Sequence, residues 1–299
     1  MGSTQFGNFH DFCRDSTLPI CNIFPGFSYQ NPVNFNPECH LTGVSLNSGK
    51  SHLGNLGTIL LCGVAIVVSA FLLWRSERKQ AAVGRREMQL FLLGYIIIEI
   101  CEIFTVGKIP GLSEDVRKGF TGIHLGMIIA TLWILMLNAA VGYQILDDGT
   151  PLSLGLMVGS AIALFIGTGY ITLDTGFSWT GHFDSSLSGN NRNIALYVLY
   201  QLAPLVFLFV FFVLETVLVI RILGERKPMI YLVAAAVLFA LGQIFNYVVS
   251  IHICNGTNGK IDGSLFETLF TLLSVVTIWI FWSSITEDDW PMPVNNTYS

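Results

Sequence analysis

Seven stretches of mostly apolar residues, each roughly 20 long, alternate along the chain with short polar segments. They fall at about 53–74, 88–107, 119–145, 152–173, 194–220, 229–253 and 265–284. A bilayer hydrocarbon core is about 30 Å thick, and a helix rising ~1.5 Å per residue needs about 20 residues to cross it. Each stretch is long enough to span and too long for an ordinary buried strand. The pattern predicts an all-α polytopic membrane protein, a bundle of seven transmembrane helices. It also predicts three regions: an N-terminal segment over 1–52, the bundle over 53–284 and a short tail over 285–299.

Composition sharpens this. The 299 residues are 52% hydrophobic and only 12% charged, with a mean hydropathy of +0.61, whereas a soluble domain is nearer 25% charged. The loops between spans are too short for a second globular domain. No internal repeat is visible. The net charge of −5 gives no reason to expect a nucleic-acid partner. The first 50 residues lack a basic segment followed by an apolar run, so the first span reads as an uncleaved anchor rather than a signal peptide.

Basic residues in short loops set orientation. Arg75, Arg78, Lys79, Arg85 and Arg86 follow the first span, and Arg221, Arg226 and Lys227 follow the fifth. Both loops lie on one side of a seven-span chain. The N-terminus is therefore expected in the lumen or exterior and the C-terminus in the cytoplasm. That topology puts Cys13, Cys21, Cys39 and Cys254 on the oxidising side, with Cys62 and Cys101 inside spans. Four such thiols allow two bridges in three connectivities. The local pairing is Cys13 with Cys21, leaving Cys39 for Cys254; the alternative is four unpaired thiols. Asn255-Gly256-Thr257 is a glycosylation sequon on the same side, pressed close to the membrane. Asn295-Asn296-Thr297 falls on the cytoplasmic side and should stay unmodified.

Glu99 and Glu102 are the chief chemical oddity. At i and i+3 they share one face of the second span. A central charge costs about 2.5–3.5 kcal/mol, while each Leu, Ile, Phe or Val returns ~0.3–0.6. Eleven such residues lie between Leu90 and Val106 and return roughly 5 kcal/mol, nearly cancelled by two charges. The helix should need partners. His124 enters the third span at a similar depth and is a candidate partner for Glu102. Two readings are open, a proton or ion relay and a satisfied interhelical contact or simple protonation of both acids, and the absence of an ion-path series favours the second. Glu215 in the fifth span, Asn138 in the third, and Gln243 with Asn246 on one face of the sixth read as packing contacts. Gly155, Gly159, Ala163 and Gly167 form a small-residue stripe expected to pack closely inside the bundle, with an oligomer seam as the alternative.

Catalytic signatures are missing. His124, His182 and His252 are scattered, and no HExxH, GxSxG or phosphate-cradling glycine loop occurs. The chain is expected to be no enzyme, with no metal and no cofactor. A seven-span receptor or transporter using intramembrane carboxylates is the alternative class. Against it, the third span ends in Leu146-Asp147-Asp148-Gly149, and the seventh has neither NPxxY nor a lysine.

Several segments, in order, carry a resemblance. They are Phe12-Cys13 with Leu18-Pro19-Ile20-Cys21; Ala82-Val83-Gly84-Arg85 with Glu87; and Asp148-Gly149-Thr150. Gly242-Gln243, Tyr247 and Ile253-Cys254-Asn255-Gly256 follow, then Asp262-Gly263 and Phe266, then Phe281-Trp282 with Thr286-Glu287-Asp288-Asp289. In this the chain resembles the fungal chitin synthase export chaperones over nearly its whole length. A tail of only 15 residues departs from an extended docking tail. The resemblance implies a multi-pass endoplasmic reticulum protein that binds a chitin synthase in the lipid bilayer and licenses its export for cell-wall synthesis. It also implies that the protein can accompany its client to the plasma membrane. Glu99, Glu102, Gln243 and Asn246 then become a candidate client face, and Glu287, Asp288 and Asp289 a candidate export signal read by vesicle-coat machinery.

Overall fold

The computed structural model describes residues 6–24, 41–42, 44–46, 51–107, 109, 111–144, 149–183 and 192–286. After a short helix α1 (His10–Asp15) and a 3₁₀ turn (Pro19–Ile23), a two-stranded hairpin pairs β1 (Val44–Leu46) with β2 (Ser51–Leu53) antiparallel. Seven long helices follow: α2 (Leu56–Glu77), α3 (Arg85–Thr105), α4 (Glu114–Val141), α5 (Pro151–Phe177), α6 (Ile194–Leu223), α7 (Lys227–Gly256) and α8 (Gly263–Ile285). Each has the length and apolarity to cross a bilayer. The small hairpin and an isolated antiparallel bridge between Asn8 and Arg192 are the departures from helix in the extended backbone of the described residues. The seven spans expected from the apolar pattern all appear, with ends moved by a few residues.

The helix starts follow local chemistry. Ser113, Thr150, Asn193 and Asp262 each accept a backbone N–H from the first turn of the helix they precede. Pro151 and Pro228 sit in first turns, where a missing N–H is harmless. Deeper in α6, Pro204 cannot bond back to Tyr200, and the turn Val198–Leu202 just before it is widened to π geometry.

α4 is the hub: α3, α5 and α6 all pack on it, α2 packs on α3, and α8 joins α2 to α7. Glycines set the closest approaches. A methyl group at Gly94 would collide with Thr131 across the α3–α4 seam. One at Gly122 would come within 2.6 Å of Leu173, and one at Gly126 within 2.8 Å of Phe165, across the α4–α5 seam. The stripe on α5 does not do this. Gly155, Gly159 and Gly167 have nothing within 4 Å of a notional Cβ, and Ala163 is exposed, so the stripe faces outward. The close-packing glycines belong to α4. Both arrangements are apolar, and hydropathy cannot tell a lipid-facing small residue from a buried one.

The N-terminal segment folds onto the end of the bundle where α2 begins and α3 ends. Phe9, Cys13, Leu18, Ile20, Cys21, Ile23 and Phe24 are buried together with Leu125 of α4 and Leu196 of α6. The Cys13–Cys21 disulfide closes this plug. Its polar anchor is Asp262: Oδ1 accepts from Ser264 N (3.1 Å) and Ser264 Oγ (2.5 Å), and Oδ2 accepts from Thr17 Oγ1 and from Asn55 Nδ2 (3.2 Å). One carboxylate thus caps α8 and ties it to the plug and to the start of α2. Asp262→Ala should lower stability by about 2–3 kcal/mol, roughly 1 from the cap and the rest from buried donors left unpaired. Thermal denaturation of the detergent-purified chain checks this, and an unchanged midpoint would refute the anchoring role.

Candidate functional site

Along α3 the pitch of 3.6 residues per turn puts Phe91, Tyr95, Glu99 and Glu102 on one inward face. These residues border a cavity of about 550 Å³ enclosed by α3, α4, α6, α7 and α8, with Thr17 and Pro19 of the plug at one end. Its polar part includes Glu99, Glu102, His124, Gln243, Asn246 and Glu267, beside hydroxyl groups such as those of Tyr95 and Thr131. Elsewhere its walls are apolar, among them Leu135, Leu208, Phe239 and Val275.

Glu102 is the best-partnered acid. Oε1 accepts from Thr268 Oγ1 at 3.2 Å, and Oε2 lies 3.8 Å from His124 Nε2. Glu267 accepts from Thr271 Oγ1 at 3.0 Å. At the capped end Tyr247 Oη donates to Gln201 Oε1 at 3.2 Å, a bond from α7 to α6. Other atoms make no well-formed hydrogen bond: Glu99 Oε2, Thr131 Oγ1, Asn246 Oδ1 and both ring nitrogens of His124. All of these residues are buried. Orphaned polar atoms at this depth are costly, about 1–3 kcal/mol each and more where charge is involved. No Lys or Arg stands among the described residues lining the cavity.

The donor atoms of Cys62, Glu99 and Glu102 lie within 4.8 Å of one another. A thiol and two carboxylates are ligand types that zinc accepts. Yet His124, the nearest imidazole, has no acceptor on Nδ1, whereas a metal-bound histidine almost always donates its second N–H to one.

The remaining residues singled out in the sequence lie elsewhere. Glu215 is buried in α6 with Oε2 unpartnered and takes no part in the cavity. Asn138 packs over the backbone at Gly84, its Oδ1 2.5 Å from a notional Cβ there. Asn255 is exposed at the end of α7. Cys13 and Cys21 are bonded, with Cα atoms 5.5 Å apart. Cys254 is disulfide-bonded and buried, and Cys39 lies outside the described residues, as do Glu287, Asp288 and Asp289.

Sequence reasoning passed over Glu267, although a signal was present. Ser264, Glu267, Thr268, Thr271 and Ser274 recur every three or four residues and mark one polar face of the last span. It also passed over Asp174, which is fully buried and accepts the backbone N–H groups of Thr180 (2.5 Å), Gly181 (3.2 Å) and Phe183 (2.9 Å), holding the loop after α5 in place.

Comparison with known proteins bears on what the bundle is for. The family model described as chitin synthase export chaperone matches residues 5–296. The chitin synthase export chaperone of Coccidioides immitis is 30% identical over 285 residues, covering 95% of this chain and 84% of that protein. That of Chaetomium globosum is 30% identical over 286 residues, with 95% and 83% covered. That of Cryptococcus neoformans is 29% identical over 296 residues, with 95% and 76% covered. No solved structure gives a significant match. A match that runs from the N-terminal plug through the last span places this chain in the chitin synthase export chaperone family.

Proposed function

We propose that this protein is a multi-pass chaperone of the endoplasmic reticulum membrane that binds a newly made chitin synthase, shields it from aggregation and licenses its export to the cell surface. The observation that carries the reading is the family match along nearly the whole chain. A multi-span client exposes polar helix faces that are costly to leave toward lipid, and a helper bundle with its own polar interior can cover them until the client assembles. The name shared by the relatives implies a role other than catalysis. It also disfavours a receptor or transporter built on intramembrane carboxylates.

In this reading the plug faces the lumen and the tail the cytoplasm, an orientation supported by the basic residues of the α2–α3 and α6–α7 loops. The bundle over 53–284 does the binding, and Glu287, Asp288 and Asp289 offer an acidic cytoplasmic run to vesicle-coat machinery. Deleting the gene should hold a fluorescently tagged chitin synthase inside the cell and lower wall chitin, with small-molecule uptake unchanged. Normal surface delivery of every chitin synthase in the deletion strain would overturn the proposal.

A further inference from the structure

α6 and α7 are consecutive and joined by a short loop, yet they barely touch along their length: α6 leans on α4, and α7 on α8. The cavity sits behind this gap. Leu205 and Phe209 of α6 and Ala236 of α7 both line the cavity and are exposed, so its mouth opens sideways, at membrane depth. The capped end is closed by Thr17 and Pro19 of the plug and by the Tyr247–Gln201 bond.

Charge says what the gap would accept. Glu99, Glu102 and Glu267 converge on a space whose described lining holds no lysine or arginine, and Glu99 Oε2 and Asn246 Oδ1 are buried without a donor. Three carboxyl groups face a single imidazole, His124, so a cation rich in N–H is the group that complements the lining. On the basis of the chaperone function proposed above, we propose that the α6–α7 gap receives a transmembrane helix of the chitin synthase client. A Lys or Arg side chain of that helix enters the cavity and pairs with Glu102 and Glu267. A basic residue in a client span and an acid in this bundle are each costly to leave toward lipid, and pairing relieves both at once. The volume of about 550 Å³ has room for such a side chain. A phospholipid ammonium fits less well: it carries a phosphate beside it, which the carboxylates repel, and it resides at the surface, where the plug blocks entry.

Site-specific photo-crosslinking in fungal membranes tests this, with the crosslinker placed at Leu205 or Phe209 on the rim and at Leu156 or Ile162 on the outer face of α5. The expected result is a chitin synthase adduct from the rim positions and none from α5. Glu102→Gln with Glu267→Gln should cut that adduct about tenfold, equivalent to ~1.4 kcal/mol, while the amount and monodispersity of the protein stay constant. Three results overturn the groove: a co-purifying client that crosslinks through α5 instead, rim adducts to lipid alone, or rim adducts unmoved by the two glutamines. If no chitin synthase co-purifies with the unmodified protein, the chaperone reading itself fails, and the groove falls with it.

Discussion

Gly263→Ala, the addition of one methyl group, should destabilise this protein by about 2–5 kcal/mol. Gly263 opens α8 directly after the capping carboxylate of Asp262. A Cβ there would run into the carbonyl oxygen of Phe245 and sit 2.7 Å from Ser250 Cβ, both on α7. A backbone oxygen cannot swing aside, so the two helices must part. Overpacking of this kind typically costs about 1–3 kcal/mol. Parting the helices also lengthens the Gly263 N to Ser250 Oγ bond, 3.1 Å in the native fold, and leaves a buried donor short of its acceptor. The effect reaches the cavity, because Gln243 and Asn246 on α7 face Glu267 on α8 across the same seam. Gly167→Ala is the control, since a Cβ there meets nothing within 4 Å. Thermal unfolding of the two purified variants decides the matter: a large drop for Gly263→Ala with none for Gly167→Ala is expected, and equal midpoints would refute the close approach.

That pair of glycines also shows where the sequence stops being legible. A span is a local property, set by how many apolar residues follow one another, so all seven could be read from the chain, with their ends off by a few positions. Faces within one helix are local too. Glu99 and Glu102 were legible as one face, Gln243 and Asn246 as another, and the structure turns both toward the same cavity. Which helix stands next to which is not local. In water, apolarity marks the inside of a protein; in lipid, both inside and outside are apolar. The α5 stripe therefore looked like a packing seam and faces outward, while Gly122 and Gly126 carry the real one. The same blindness hid the gap between α6 and α7, which depends on both helices finding better partners elsewhere. Glu267 was missed for another reason: near the end of its span a carboxylate looks like an interfacial residue, and only its recurrence with Ser264, Thr268 and Thr271 tells otherwise.

Removing the plug's disulfide should be the second large effect. Cys13 and Cys21 are eight residues apart, and by loop-closure entropy a crosslink of that size contributes about 2.5 kcal/mol. The contribution falls on a segment otherwise held by a six-residue helix, one 3₁₀ turn, an apolar cluster and a few hydrogen bonds, among them Thr17 to Asp262 and Asn22 Nδ2 to Thr105 O at 3.0 Å. Elements this short are marginal on their own, so the bridge decides whether the plug stays docked. Cys13→Ser with Cys21→Ser should therefore release it, exposing Leu125 and Leu196 beneath. The Thr17–Asp262 hydrogen bond would go at the same time, opening the end of the cavity that Thr17 and Pro19 close. Limited proteolysis of the purified protein should then cut the double variant within residues 6–24 at least tenfold faster than the unmodified chain, a ratio that ~1.4 kcal/mol of docking energy already gives, with the seven spans left intact. Dithiothreitol should bring the unmodified chain to the same rate. Equal cleavage of variant and unmodified protein would mean that the apolar cluster alone holds the plug down, and that the bridge between Cys13 and Cys21 contributes nothing to closing the bundle.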